Sequence, residues 1–196
     1  MIPSSQEIFY RIYGAWRLAR FDADGAQYFD VSPEAALRSF FAAVLVAPAF
    51  FFANFLAISA TGASSEAGTF AVALVFALYY CLLWTAPPLI VYRVCQVIDR
   101  ESAFFRFLSA NNWSSVITVH LSFVVALLHA GGLLPEALAG LLSLAVYAFV
   151  LGYQWFITRH CLDVSPLAAV GFVALHFVLG FLIESIGLGI VFQSDG

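Results

Sequence analysis

The chain has 196 residues, of which 63% are hydrophobic and 10% charged, with a formal net charge of −4 and a mean hydropathy of +0.94. Soluble domains are nearer about 45–50% apolar and about 25% charged, and a core of this size cannot hide so much apolar surface. Composition therefore excludes an ordinary water-soluble domain and points to an all-α integral membrane protein, while the small net charge and scattered Arg exclude a nucleic-acid footprint.

Residues 1–35 read as a separate arm. They carry Glu7, Arg11, Arg17, Arg20, Asp22, Asp24 and Asp30 with no continuous apolar run, so a cleavable signal peptide is not expected and the first long apolar run is an anchor. Ser4 and Glu7 have the spacing of a capping box, and a helix is expected from Ser4 to Phe21. On it Ile8, Ile12, Ala15, Trp16 and Ala19 share one arc with Phe9 and Tyr13 at its edge, and Glu7, Arg11, Gly14 and Arg17 fall on the other side. Such an amphipathic helix either lies in the headgroup plane, with Trp16 buried and Arg11 and Arg17 near anionic lipid, or packs its stripe against the ends of the spans. Phe21 to Gly25 reads as a turn, and Ser32-Pro33-Glu34 starts the run into the first span.

Residues 36–193 form the transmembrane domain, a bundle of about five helices. Five runs are long enough to cross roughly 30 Å of hydrocarbon: 37–59, 69–94, 113–131, 136–158 and 167–192. A small polar loop (60–68) follows the first, and Pro87-Pro88 should kink the second. Next come a charged loop (95–112), whose part from Ser102 to Ala110 reads as an amphipathic interfacial or docking piece, and a Gly131 to Pro135 turn. Asn112 and Ser114 suit the N-cap of the third span, with Trp113 at headgroup depth. Ser165 before Pro166 suits the N-cap of the fifth.

All eight basic residues are Arg, and with a cytoplasmic N-terminus every one falls on the inner side. By the positive-inside rule the expected location is a bacterial inner membrane, N-terminus cytoplasmic and C-terminus periplasmic.

Ionisable groups inside a membrane are functional candidates. At about 1.5 Å per residue, His176 lies roughly 15 Å and Glu184 roughly 27 Å from Pro166, and the two share one broad face through Gly180. His120 and His129 point to opposite sides of one helix, so they cannot serve one site. No His pair at i, i+3 or i, i+4 suggests a metal, and Cys81, Cys95 and Cys161 are too dispersed for a disulfide framework. Asn54, Tyr79, Tyr80, Thr118, Ser122, Ser143, Tyr147 and Gln154 suit hydrogen bonds between helices. The sequence has no HExxH, GxSxG, P-loop, GxGxxG or CxxCH, so no enzyme and no cofactor is expected.

Five spans, an amphipathic N-terminal arm and an outer C-terminus in a chain of 196 residues resemble the Yip-domain family of small polytopic membrane proteins, over roughly residues 37–192. That resemblance implies action through protein and lipid contacts and not by catalysis. The segment Tyr153-Gln154-Trp155-Phe156-Ile157-Thr158-Arg159 and the Phe-rich, Arg-only composition are similar to those of uncharacterised bacterial inner-membrane proteins. The leading expectation is a scaffold or accessory subunit of a membrane complex, bound to a membrane-protein partner or to itself, with the arm as its handle. The alternative is a small-solute or proton-coupled transporter that uses the Pro87-Pro88 kink and the His176, Glu184 face.

Overall fold

A computed structural model describes residues 2–61 and 69–192. Among them every regular element is helical: α1 (Ser5–Ala19), a 3-10 helix (Ala23–Tyr28), α2 (Pro33–Ser39), α3 (Phe41–Thr61), α4 (Thr69–Val97), α5 (Glu101–Ala130), α6 (Glu136–Cys161) and α7 (Pro166–Phe192). Five stretches, 33–57, 72–97, 101–130, 136–161 and 166–185, are long and apolar enough to cross a bilayer, so the protein is a membrane-embedded helical bundle. Their outward surfaces carry Phe55, Leu78, Leu141 and Leu144, all exposed from the protein and suited to lipid.

The helix ends follow their local chemistry. Ser4 Oγ accepts from the N–H of Glu7 at 3.1 Å, Ser32 Oγ from Ala35 at 3.1 Å and Ser165 Oγ from Ala168 at 3.2 Å, each satisfying a donor that has no partner within its helix. Pro33 and Pro166 open α2 and α7, where a missing N–H removes no ladder bond. Gly132 takes a φ of 71° in the turn between α5 and α6, a conformation closed to most side chains.

Helices α4 to α7 form a ring in chain order, α4 against α5, α5 against α6, α6 against α7, with α7 closing on α4. Helix α3 stands outside this ring along α5, where Phe52 meets Phe123 edge-on. An aromatic cluster of Phe50, Phe51, Tyr79 and Tyr80 ties α3 to α4, and Tyr80 Oη donates to the Ala43 carbonyl at 2.6 Å. The arm folds over one end of the ring, hereafter the arm end; the end with the Gly131 to Pro135 turn is the far end. Most of the well-buried apolar side chains gather at the arm end, where Ala15, Leu18, Ala19, Phe29 and Ala36 meet Phe104, Phe107, Leu108, Trp113, Tyr153 and Ile157. Toward the far end the helices turn most of their surface to lipid, so less of it is covered by protein.

Several expectations change here. The third span begins at Glu101 and not Trp113, and the loop before it shrinks to residues 98–100. The piece from Ser102 to Ala110 is the first part of α5, with Phe104, Phe107 and Leu108 buried beneath the arm instead of docked on an interface. Asn112 and Ser114 are buried mid-helix and cap nothing: Asn112 Nδ2 donates to Ser39 Oγ at 2.9 Å, and Ser114 Oγ to the Asn111 carbonyl at 2.7 Å. Trp113 is 2% exposed, filling protein space instead of sitting among headgroups. The first span is divided at Phe40 into α2 and α3. Helix α4 continues through Pro87-Pro88 to Val97. Residues 62–68 of the first loop, with Glu66, lie outside the described residues.

Candidate functional site

Helices α4 to α7 frame a half-open cavity of about 390 Å³. Three of its helices each turn a polar row toward it. Helix α5 contributes Ser115 and Thr118, α6 contributes Tyr147, Gln154 and Thr158, and α7 contributes His176 and Glu184 with Gly180 between them. These spacings of three, four and seven residues recur on one face of an α-helix, which is why each row stays aligned along the bundle axis. Val91 of α4, Phe107 of α5 and Phe172 of α7 close the apolar remainder. A smaller cavity of about 190 Å³ shares Tyr147 and Val150 with the first and adds Ser122 and Ser143 on the way to the far end.

The hydroxyls near the arm end are satisfied by their own helices: Ser115 Oγ donates to the Asn111 carbonyl at 3.2 Å and Thr158 Oγ1 to the Gln154 carbonyl at 2.7 Å. Each retains lone pairs that face the cavity as acceptors. The His176 imidazole and the Gln154 amide have no hydrogen-bond partner among the described residues, so both are available to a guest. His176 is partly buried in the wall, whereas Glu184 is exposed at the far mouth. No Arg lines the cavity, which leaves Glu184 as its one acidic group and makes the lumen suited to neutral or cationic solutes. No group of three His, Cys, Asp or Glu among the described residues could hold a metal.

His176 and Glu184, singled out on the sequence, thus stand in one cavity. Ser115 and Thr158 were missed; their signal was present as the 115, 118, 122 and 143, 147, 154, 158 rows. His120 bonds back to the Val116 carbonyl at 2.7 Å, and His129 lies 3.8 Å from Glu136 at the far end. Cys95 and Cys161 are buried free thiols, and Cys81 is an exposed one.

The arm residues divide differently from the stripe drawn on the sequence. Ile8 and Ile12 pack on the buried cluster, but Trp16 is half exposed, while Arg11 and Gly14 are buried. The cause is the 3-10 helix, which crosses α1 at Gly14. Arg11, 6% exposed, donates to the Tyr28 carbonyl and pairs with Asp30. Arg17 Nε donates to Asp22 Oδ2 at 2.6 Å, and Arg38 Nε to Glu7 Oε1 at 3.0 Å. The Arg17 guanidinium holds the Asp22 carboxyl below its ordinary range, and Asp22 in turn raises Arg17. Arg11 and Arg17 are therefore committed to carboxylates of the arm itself and not turned to lipid phosphate.

In comparisons with known proteins, no family model, no curated protein and no solved structure matches this chain.

Proposed function

We propose that the protein binds a small polar solute in the α4 to α7 ring and conducts it across a bacterial inner membrane, with the arm end in the cytoplasm. One observation carries the reading: three helices align polar rows on a single cavity inside a bundle whose outer surface is apolar. A helix in lipid gains nothing from a polar row unless that row meets another helix, water or a solute, and here the three rows meet around open space. The orientation rests on the eight Arg residues, which lie in the arm, in α2, in the turn between α4 and α5, or in the arm-end parts of α4, α5 and α6. The scaffold reading rested on the 21 Phe, on the arm as a handle and on the lack of a concentrated polar site; Ile8 and Ile12 of the arm pack within the protein and polar rows line one cavity, which supports conduction over it.

Gly180 allows a direct test. Gly180 lines the cavity and a Cβ built there meets nothing within 4 Å, so Gly180→Leu adds bulk at the cavity wall. In proteoliposomes, wild-type protein should raise the permeation of protons, glycerol or urea several-fold above that of protein-free vesicles. Gly180→Leu should abolish the increase, and His176→Ala should alter its rate. Permeation equal to that of empty vesicles for all three probes would refute conduction and return the protein to the scaffold reading.

A further inference from the structure

Helix α1 has a second face that the described residues leave largely open, with only the edge of Tyr13 meeting Tyr28. Phe9, Tyr13 and Trp16, at i, i+4 and i+7, occupy one arc and are 76%, 53% and 52% exposed. The opposite arc, with Ala15, Leu18 and Ala19, is closed in the arm-end core. Two contacts fix the depth of α1 beside the spans. Tyr153 Oη of α6 donates to the Ala15 carbonyl at 2.6 Å. Phe21, leaving α1 with a φ of 58°, sets its ring edge-on to Phe156 and Phe149, with centroids 5.3 and 6.4 Å away.

A span needs roughly 20 helical residues to cross the hydrocarbon, which takes α6 from Glu136 to about Trp155. Its first basic residue beyond that point is Arg159. Phe149 and Tyr153 therefore stand within the apolar slab near its boundary, and the C-terminal part of α1 reaches that level at Ala15, with Phe21 just beyond it. A side chain exposed from the protein at that level meets lipid, in continuity with the lipid-facing surface of the spans.

We propose that α1 is an interface helix whose Phe9, Tyr13, Trp16 face is seated at the border of headgroups and acyl chains in the leaflet at the arm end, while its other face clamps it to the bundle. The residue types suit that border, because Trp and Tyr join an apolar ring to a polar atom that stays hydrated. The main driving term is aromatic burial, since Arg11, Arg17 and Arg38 are paired with carboxylates and Arg20, exposed at the end of α1, is the one arginine of the arm without an ion pair among the described residues. The contact therefore needs no anionic lipid. Of the stripe read on the sequence, Ile8 and Ile12 pack on the bundle, whereas Trp16, with Phe9 and Tyr13 from its edge, forms the lipid-side face.

The test uses the full chain in nanodiscs of phosphatidylcholine, with and without phosphatidylglycerol. Subtracting the emission of Trp16→Phe from that of wild type isolates Trp16 from Trp84, Trp113 and Trp155. The expected difference spectrum is shifted to the blue of tryptophan in water. It is quenched several-fold more by lipid brominated near the headgroup than by aqueous iodide, equally in both lipid mixtures. A water-like spectrum quenched by iodide alone would overturn the proposal and place the face in solution. Shielding from both quenchers would also overturn it, placing a second copy over the face. In unmodified protein, a photoactivatable phospholipid should label the peptide that carries residues 9–16; absence of label there would again count against it.

Discussion

Gly14 and Gly25 hold the arm's tightest crossing. A Cβ at Gly14 would lie 2.4 Å from Tyr28 Cβ, and one at Gly25 2.8 Å from the Leu18 nitrogen, so α1 and the 3-10 helix could not both keep their places. Gly14→Ala should destabilise the arm by about 1–3 kcal/mol, seen as faster proteolysis between α1 and α2 in the intact protein. Gly140→Ala, where a Cβ meets nothing within 4 Å, should leave the digestion unchanged. Ser39 is fully buried and links the arm to α5 through Asn112. Ser39→Ala leaves the buried Asn112 amide short of a partner, and a loss of about 1–3 kcal/mol is expected in thermal unfolding. Asp22 sets a pH dependence whose sign follows from its lowered folded value. Its contribution is complete above the ordinary 3.8 and is lost as pH falls through the lower folded value. Protease resistance of the arm should therefore be flat at neutral pH and decline only in acid, and Asp22→Asn should remove that acid limb.

Among the elements, α5 departs furthest from its sequence reading. Glu101, Arg106, Asn111 and Asn112 gave residues 95–112 the look of a polar loop, because hydropathy counts each side chain as though it faced one solvent. Folded, the arm lies over this stretch, so Asn112 finds Ser39, and the Phe104, Phe107 and Leu108 side chains find Leu18 and Phe29. Tertiary cover thus turns a polar stretch into helix interior. Ala110→Pro discriminates between the two descriptions. In a loop it would be tolerated; within α5, where Ala110 is fully buried, it should cost about 3 kcal/mol or more and shift the detergent-solubilised protein toward aggregation on size exclusion. Helix α1 makes the same point by its faces: a stripe of Ile8, Ile12 and Trp16 is amphipathic by period, but crossing at Gly14 rotates the buried arc toward Arg11 and leaves Trp16 outside.

At the scale of the whole molecule, five spans place the two ends of the membrane domain on opposite sides of the bilayer. The proposed orientation, with the arm end in the cytoplasm, predicts that a periplasm-active reporter fused after Gly196 is active and a cytosol-active one silent. The number and class of the spans were legible in the amino-acid order alone, because each apolar run of about 20 residues satisfies its own backbone in lipid without help from its neighbours. Ser165 and Ser4 could likewise be read as caps, since capping is local. The length of α5, the outward face of α1 and the meeting of Gln154 and His176 in one cavity were decided only by the tertiary structure. Each depends on which helix lies across from which, and that pairing is set by packing between segments far apart in the chain, a quantity that no local pattern of hydropathy contains.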